Sequence, residues 1–214
     1  MCGIIGILSS DIARHDRAMM VSSMLETLKH RGPDGHSDWS NNILSLGHTR
    51  LAVIDVSLHG QQPMTSDCGR YTITFNGEIY NFEDLRRRLP EVKWRGTSDT
   101  EVLLAAISRW GLDETLTKVD GMFAFGLWDD FHKKLFLVRD CLGEKPLYFY
   151  EDMETVIFSS ELRAIECVPG IKLSISRSAI TQYLRHGNIP WPESIYNEVS
   201  KLQPGTYVSF SEGS

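Results

Sequence analysis

Cys2 is the residue whose type and position most directly suggest covalent chemistry. It follows Met1 and opens the run Cys2-Gly3-Ile4-Ile5-Gly6-Ile7. Removal of Met1, which is usual ahead of a small residue, would leave Cys2 with a thiol and a free α-amine. The thiol is then a nucleophile, and the amine is a general base whose reference pKa, about 7.7–8.0, lies close to working pH. The alternative interpretation of Cys2 is a buried small side chain on a first strand.

The composition is that of an ordinary globular protein, and its charge argues against nucleic-acid binding. The 214 residues are 42% hydrophobic and 23% charged, and the formal net charge is −6. The longest basic run, Arg86-Arg87-Arg88, is typical of a solvated helix face. No apolar stretch has the length of a membrane span, and Ser9-Ser10-Asp11 ends the first apolar run too early for a secretory signal. We therefore expect a cytoplasmic protein without nucleic-acid or membrane partners.

The four cysteines show no metal-binding or disulfide pattern. They are Cys2, Cys68, Cys141 and Cys167. None belongs to a C-x-x-C pair, so we expect no structural zinc and no other metal site. Because a secretory signal is not expected, a disulfide framework is not expected either.

Hydrophobic periodicity predicts the elements that would have to position Cys2. Strands are predicted where short apolar or alternating runs occur, at residues 2–8, 43–54, 71–75, 122–128, 134–138, 147–150 and 155–158. Helices are predicted from about residue 18 to Gly32-Pro33, from the cap Asn81 to Pro90, from Ser98 to Gly111, and from Ser176 to Gly187. Strands come first, helices lie in the middle and further strands follow. This order favours an α+β fold with largely antiparallel sheets.

Proline density rises after Gly187, which indicates a change in chain organisation. Pro190, Pro192 and Pro204 fall in this last segment. We therefore expect one domain over residues 1–188 and a surface connector over residues 189–214.

Seven motifs in a fixed order carry a specific resemblance. They are Cys2-Gly3-Ile4-x-Gly6, Arg31-Gly32-Pro33-Asp34, residues 47–55 (Gly47-His48-Thr49-Arg50-Leu51-Ala52-Val53-Ile54-Asp55), Phe75-Asn76-Gly77-Glu78-Ile79-Tyr80-Asn81, Thr97-Ser98-Asp99-Thr100-Glu101, Asp120-Gly121-Met122-Phe123-Ala124-Phe125 and Arg139-Asp140-x-x-Gly143-x-Lys145-Pro146-Leu147-Tyr148. Together they resemble the glutaminase domain of the class II glutamine amidotransferases. The order and the residues of these motifs are most similar to those of the glutamine-hydrolysing asparagine synthetases, over about residues 2–205. The resemblance implies a four-layer αββα N-terminal-nucleophile fold, in which two antiparallel sheets pack between helical layers.

The resemblance also implies how the chain would split the side-chain amide of glutamine. Cys2 would attack the carbonyl carbon and release ammonia, and water would hydrolyse the resulting thioester. The Asn76 side chain and the Gly77 N–H are the candidate donors to the oxyanion. Taken alone, Asn76-Gly77 is also the strongest signal of a type I′ hairpin turn. Asn81 is a weaker catalytic candidate because it is equally a helix cap.

The α-carboxylate and α-ammonium of glutamine each require a partner. Arg50 can make a bidentate contact with the carboxylate, and Asp99 and Glu78 can accept from the ammonium. The resemblance adds backbone contacts from Leu51 and Val53. Arg50 could instead be a surface arginine, and Asp99 is also a favoured first-turn residue of a helix.

Five further polar residues in or beside these motifs have weaker assignments. His30 and Arg31 border the expected pocket, but cations are also typical of a helix C-terminus. We expect His48 to be a packed strand residue, since the α-amine already fills the role of base. Asp140 and Lys145 are expected to fix a turn between strands.

In the family, the ammonia passes to a second domain that uses ATP to amidate aspartate. That domain carries a Ser-Gly-Gly-x-Asp-Ser loop, which this sequence lacks. We therefore expect the C-terminal synthetase domain, with its ATP and Mg²⁺, to lie outside this chain, and glutamine hydrolysis itself to need no cofactor. Three alternatives remain open: another carboxylate acceptor such as a sugar acid, an amidotransferase of purine or hexosamine synthesis, and a non-catalytic regulatory module. A homodimer also remains open.

Overall fold

In the computed structural model, which describes residues 1–211, strands and helices alternate in blocks. The strands are Gly3–Ser9 (β1), Gly35–Ser40 (β2), Leu44–Arg50 (β3), Met64–Thr65 (β4), Tyr71–Ile79 (β5), Gly121–Asp129 (β6), Lys134–Arg139 (β7), Tyr148–Glu151 (β8), Thr155–Ser159 (β9), Val199–Lys201 (β10) and Tyr207–Ser211 (β11). The α-helices are Arg14–Thr27 (α1), Phe82–Arg87 (α2), Asp99–Trp110 (α3), Leu112–Leu116 (α4), Leu162–Glu166 (α5) and Arg177–His186 (α6). Within residues 1–211, no helix is both long and apolar enough to cross a membrane.

The strands form two antiparallel sheets. The first sheet has the order β10-β8-β9-β1-β3-β2, and the second has the order β11-β7-β6-β5-β4. In the first sheet β1 lies between β3 and β9, so the segment that follows Cys2 is central. In the second sheet β5 pairs along its whole length with β6, from Tyr71 opposite Asp129 to Ile79 opposite Gly121.

Three buried apolar clusters separate four layers. One cluster joins α1 and α5 to the outer face of the first sheet, through residues such as Val21, Ile5 and Ile165. A second lies between the two sheets and includes Trp128 and Phe158. The third joins α3 to the outer face of the second sheet. The chain is therefore an αββα sandwich, and the predicted α+β class with two packed antiparallel sheets is confirmed.

Asn76 and Gly77 lie inside β5, so their interpretation as a hairpin turn is wrong. Asn76 pairs with Ala124 and Gly77 with Phe123 on the neighbouring strand. A Cβ atom on Gly77 would lie only 2.3 Å from the carbonyl oxygen of Met122. Glycine is needed here because β6 approaches the backbone closely, and the ladder continues through the Asn-Gly pair.

The caps of two predicted helices differ from the sequence prediction in their contacts. Ser98 caps α3 by accepting from the Thr100 N–H at 3.1 Å. Glu101 does not complete a capping box, because its carboxylate accepts from the N–H groups of Arg95 and Gly96. Asn81 occupies the N-cap position of α2 but makes no side-chain cap.

Several elements escaped the sequence prediction because they are short or polar. β2, with the sequence GHSDWS, has no apolar alternation and is held as an edge strand by its register with β3. The predicted strand region 43–54 ends at Arg50, and residues 51–57 form a loop before a short 3₁₀ helix at Leu58–Gly60. Within the predicted connector, β10 pairs with β8 and β11 pairs with β7. The boundary between residues 188 and 189 stays a prediction, while residues 199–201 and 207–211 each add a strand to a sheet.

Candidate active site

The ends of β1 and β3 and the middle of β5 enclose a cavity of about 170 Å³. It is lined by residues from six of the seven motifs and by a few others: Met1, Cys2, His48, Arg50, Leu51, Ala52, Val53, Ile54, Asp55, Gly60, Gln62, Phe75, Asn76, Gly77, Glu78, Ser98, Asp99, Thr100, Met122 and Lys145. Eight of the nine predicted site residues therefore line one cavity. The ninth, Asn81, does not line it.

The Cys2 thiol is held by the backbone of Leu51, at the end of β3. The Leu51 N–H donates to Sγ at 3.4 Å, and the thiol faces the Leu51 carbonyl oxygen at 3.6 Å. Burial raises the pKa of the thiol, and the Leu51 N–H opposes this effect. A thiol with a raised pKa is mostly protonated near neutral pH, so attack on a carbonyl requires a base close to it.

Arg31 holds the other side of Cys2. Its Nε donates to the Cys2 carbonyl oxygen at 2.9 Å, and its Nη1 pairs with Glu161 at 2.9 Å. His30 contacts the same Glu161 oxygen at 3.0 Å. Although burial raises the pKa of Glu161, hydrogen bonds from Arg31 and His30 bring it below its usual value. Arg31 therefore contacts the backbone of Cys2 directly, and His30 is linked to it through Glu161, a residue that no sequence motif indicated.

Met1 covers the backbone nitrogen of Cys2. Its sulfur lies 4.0 Å from Nη2 of Arg31 and 3.9 Å from Nζ of Lys145, and the side chain is more than half exposed. While Met1 is attached, the Cys2 nitrogen is an amide and has no basicity. Removal of Met1 would turn this nitrogen into an amine on the same residue as the thiol.

β5 presents two unpaired donors to the cavity. One edge of β5 pairs with β6, and the other edge is free beside the cavity. The N–H groups of Phe75 and Ile79 point to this free edge. Gln62 Oε1 accepts from the Phe75 N–H at 2.6 Å, and Asp99 Oδ2 accepts from the Ile79 N–H at 3.0 Å. Gly77 lies between Phe75 and Ile79, so strand alternation places its N–H on the same edge. No hydrogen bond from this N–H to another segment occurs among residues 1–211. The Asn76 Nδ2 is buried and has no hydrogen-bond partner in this part of the chain.

His48 is a neutral, packed imidazole. Its Nε2 lies 3.1 Å from the Phe75 carbonyl oxygen, which requires Nε2 to carry the proton and leaves Nδ1 as an acceptor. Burial lowers the pKa of His48 to about 4. Nδ1 is buried without a partner among residues 1–211. The structure agrees with the prediction that His48 is a packed strand residue, and it adds that the ring links β3 to the backbone just before Asn76.

Opposite charges line two parts of the cavity. Arg50 directs its guanidinium to the Asp55 carbonyl oxygen. Asp99, at the start of α3, is 6% exposed. Burial raises the pKa of Asp99, and the charge of Glu78 adds to the rise against hydrogen bonds from the Ile79 and Thr100 N–H groups. A cation and a pair of carboxylates are thus available for an amino-acid ligand.

Three further predicted residues have contacts that the sequence did not indicate. Val53 is 70% exposed at the cavity mouth. Asn81 donates to the Lys118 carbonyl at 2.8 Å and accepts from the Asp120 N–H at 3.0 Å, so both ends of its amide bind the backbone. Lys145 is buried, and its ammonium reaches the cavity wall beside Met122, with the sulfur at 3.0 Å.

Asp140 fixes the turn after β7, as predicted. Its carboxylate accepts from the N–H groups of Phe123, Leu142, Glu144 and Lys145.

Gln62 was not predicted from the sequence, although its side chain accepts from the Phe75 N–H and donates to the Thr100 hydroxyl at 3.1 Å. Nothing in the local sequence marks Gln62, because its role depends on where β4 begins and leaves the edge of β5 free. Among residues 1–211, no group of three or more His, Cys, Asp or Glu side chains is placed to hold a metal ion.

The sequence is similar to one domain family and to longer curated proteins. The model of a glutamine amidotransferase domain matches residues 1–214. The chain is 36% identical over 220 residues to asparagine synthetase (glutamine-hydrolyzing) 3 of Bacillus subtilis, covering 99% of this chain and 35% of that protein. It is 36% identical over 225 residues to putative asparagine synthetase (glutamine-hydrolyzing) 2 of Methanocaldococcus jannaschii, covering 95% and 42%. The chain therefore spans less than half of the length of these relatives.

A solved structure shares the fold. Glutamine phosphoribosylpyrophosphate amidotransferase from B. subtilis, complexed with ADP and GMP, matches with a TM-score of 0.67 over 78% of this chain and 43% of that chain. The sequence identity is 21%, so the likeness concerns the fold alone.

Proposed function

Because this chain belongs to the family of glutamine amidotransferase domains, we propose that it hydrolyses glutamine to glutamate and ammonia through a thioester on Cys2. The observation that carries the proposal is the meeting of Cys2, at one cavity, with the buried and partnerless Asn76 Nδ2 and with the Gly77 N–H on the free edge of β5. Buried polar groups are nearly always paired in native proteins. Two unpaired donors beside a nucleophile therefore favour a ligand oxygen as their partner.

The first chemical step begins after Met1 has been removed. The α-amine of Cys2 takes the thiol proton, and the thiolate forms a bond to the side-chain carbonyl carbon of glutamine. The electron pair of the carbonyl moves to oxygen, where Asn76 and Gly77 donate hydrogen bonds. Donors of this kind each contribute about 2.7–4 kcal/mol to the transition state, judged by their removal.

The second step releases ammonia, and the third regenerates the enzyme. The α-ammonium returns its proton to the leaving nitrogen as the C–N bond breaks, which gives ammonia and a γ-glutamyl thioester. The same amine then takes a proton from water, whose oxygen attacks the thioester carbon. The C–S bond breaks, the thiol regains its proton and glutamate leaves. These groups suffice for hydrolysis, so we propose that no metal or organic cofactor takes part.

Substrate binding uses the charges of the cavity. We assign the α-carboxylate of glutamine to Arg50 and the α-ammonium to Asp99 and Glu78. The backbone of Leu51 and Val53 borders the same space. Because the Leu51 N–H already holds Sγ, the contribution of Leu51 includes alignment of the nucleophile. We assign no catalytic step to Asn81.

The ammonia acceptor is inferred from the relatives. Their names describe glutamine-hydrolysing asparagine synthetases, and the chain covers about a third of the first of them. We propose that the ammonia serves ATP- and Mg²⁺-dependent amidation of aspartate, carried out by a synthetase domain that follows in a longer protein.

Glutamate release by the purified chain tests the proposal, with the intact mass recorded for each sample. We expect release from the chain that lacks Met1, and a loss of about 10⁴-fold or more in Cys2→Ala, because the nucleophile is absent. Cys141→Ala is the matched control, since Cys141 is exposed and outside the cavity. A chain extended at its N-terminus should also be inactive, because its Cys2 nitrogen remains an amide.

Two outcomes would contradict the proposal. Glutamate release that persists in Cys2→Ala would exclude the thioester. A chain that lacks Met1 and is as inactive as Cys2→Ala would support the non-catalytic module.

A further inference from the structure

Asp55 uses both carboxylate oxygens to join two separate segments of the chain. Oδ1 accepts from the Ser57 N–H at 2.8 Å and from the Ser57 hydroxyl at 2.6 Å, which shapes the loop after β3. Oδ2 accepts from the Thr97 N–H at 2.8 Å, 42 residues further along the chain. The carboxylate thus ties the loop of residues 51–57 to the segment that leads into α3.

The two segments joined by Asp55 carry the groups that we assign to the two charges of glutamine. The Asp55 backbone carbonyl accepts from the Arg50 guanidinium. Thr97 lies two residues before Asp99, whose carboxylate faces the same cavity as Arg50. Asp55 therefore contacts the Arg50 guanidinium directly and is connected to Asp99 through the backbone from Thr97 to Asp99.

The surroundings show a close fit around this carboxylate. A Cβ atom on Gly96 would lie 2.4 Å from Asp55 Oδ2 and 2.9 Å from the Cβ of His59, so a side chain there would displace the contact. The Ser57 hydroxyl and the Thr97 N–H lower the pKa of Asp55 to about 2. The carboxylate is therefore ionised throughout the neutral range, and its hydrogen bonds are charge-assisted.

We propose that Asp55 is a positioning residue that fixes the separation between the Arg50 guanidinium and the Asp99 carboxylate, and that it thereby selects amides bearing both an α-carboxylate and an α-ammonium. This inference rests on the proposed glutaminase function and deepens it. The two charges of a free amino acid sit on a single carbon, so their separation is fixed. Arg50 ends a strand of one sheet and Asp99 begins the helix over the other, so a direct tie between their segments is needed to match that separation.

The test compares Asp55→Asn with the wild type on three amides. Asparagine keeps the size of the side chain and an acceptor for Ser57, but its amide nitrogen does not accept from the Thr97 N–H. The substrates are glutamine, glutaramic acid, which lacks the α-amine, and 4-aminobutanamide, which lacks the α-carboxylate. The rate of ammonia release gives kcat and KM for each amide. If an analogue is turned over too slowly for this, its inhibition constant in competition with glutamine is measured instead. Asp38→Asn is the matched control, because Asp38 is an exposed carboxylate on β2 that does not line the cavity.

We expect Asp55→Asn to raise KM for glutamine about tenfold, the factor that corresponds to one charge-assisted hydrogen bond, with kcat changed less than about twofold. For both analogues the variant should differ from the wild type by less than about twofold, because only a substrate with both charges senses their separation. Asp38→Asn should match the wild type on all three amides.

An equal loss of kcat/KM, or of binding, for glutamine and for both analogues would overturn the proposal, since it would indicate a general disturbance of the fold. An unchanged KM for glutamine would overturn it as well. If the wild type itself releases no ammonia from glutamine, the proposed function fails, and this result is distinct from either outcome for Asp55.

Discussion

The β5–β6 ladder carries buried polar groups in two opposite hydrogen-bonding states. Near its Tyr71 end, the Asp129 carboxylate accepts from Arg70 at 2.9 and 2.6 Å, from two backbone N–H groups of the turn, and contacts His132 at 2.8 Å. We call this group, Arg70, Asp129 and His132, the turn cluster. At Asn76 and Gly77 on the same strand, two donors have no acceptor within residues 1–211.

The difference shows how one strand serves both stability and function. The turn cluster is saturated by the protein, so its hydrogen bonds contribute to the fold. An unpaired buried donor such as Asn76 Nδ2 is unfavourable for the folded chain, typically by about 1–3 kcal/mol. It becomes favourable when a ligand oxygen reaches it. We therefore expect substitutions in the cavity to change catalysis, and substitutions in the turn cluster to change stability.

The largest expected effect is that of Asn76→Ala on turnover. We expect kcat to fall about 10²–10³-fold, because one oxyanion donor is lost. The free energy of unfolding should not fall, and we expect a rise of up to about 1–3 kcal/mol, since the variant removes a buried donor that makes no hydrogen bond to residues 1–211. Steady-state kinetics and urea unfolding measure the two quantities.

Asn81→Ala is the control for that variant. Its amide binds the backbone at Lys118 and Asp120, so we expect kcat to be retained and the unfolding free energy to fall by about 1–2 kcal/mol. A loss of kcat as large as that of Asn76→Ala would support the catalytic role predicted for Asn81 from the sequence.

The second effect is that of Asp129→Asn on stability. We expect a loss of about 1–2 kcal/mol, because the variant removes charge-assisted hydrogen bonds of the buried carboxylate while the partly exposed Arg70 guanidinium regains water. The kcat per titrated Cys2 thiol should be unchanged. Asp130→Asn, half-exposed on the same turn, should lose less than about 1 kcal/mol. A drop in kcat for Asp129→Asn as large as that of Asn76→Ala would contradict the division between a cavity that governs catalysis and a turn cluster that governs stability.

The third effect separates the two regions by pH. His48 has a pKa of about 4 in the folded chain and about 6.5 when unfolded, so below pH 6.5 the unfolded chain binds a proton that the folded chain does not. Stability should therefore fall by about 3 kcal/mol between pH 6.5 and pH 4. In His48→Gln, which keeps a donor for the Phe75 carbonyl, this decline should be absent.

The turn cluster responds at lower pH. Although burial raises it, hydrogen bonds from Arg70 and His132 hold the pKa of Asp129 well below its usual range. Its contribution is present above about pH 4, the value for an unfolded aspartate, and is lost as the pH falls further. Unfolding curves of the wild type and His48→Gln between pH 7 and pH 3 would resolve the two windows. A decline of equal size in His48→Gln between pH 6.5 and pH 4 would contradict the assignment to His48.

The sequence predicted the apolar core of the fold, but not its edges. β1 and β6 are apolar runs and β5 begins with a clear alternation, so their patterns indicated strands. The N-terminal-nucleophile fold expected from the motifs is confirmed by the two packed sheets and by the structural match. Edge strands β2, β10 and β11 were missed, because they depend on register with a neighbour rather than on an apolar pattern of their own.

The site was predictable where a motif names the residue and unpredictable where the contact is long-range. Asn76-Gly77 was identified, but only pairing with β6 excludes a turn. Glu161 lies 130 residues from Arg31, and nothing near it in sequence indicates the pair. Asp55 lies within a motif, yet its tie to Thr97 is visible only in the folded chain.

The most direct test of the account is the rate at which a γ-glutamyl group appears on Cys2. The chain without Met1 is mixed rapidly with glutamine and quenched in acid, and the mass of the N-terminal peptide is followed over time. We expect an adduct on Cys2 that forms about 10²–10³-fold more slowly in Asn76→Ala and at the wild-type rate in Asp129→Asn. Glutamate release without an adduct on Cys2, or equal rates of adduct formation in wild type and Asn76→Ala, would contradict this expectation.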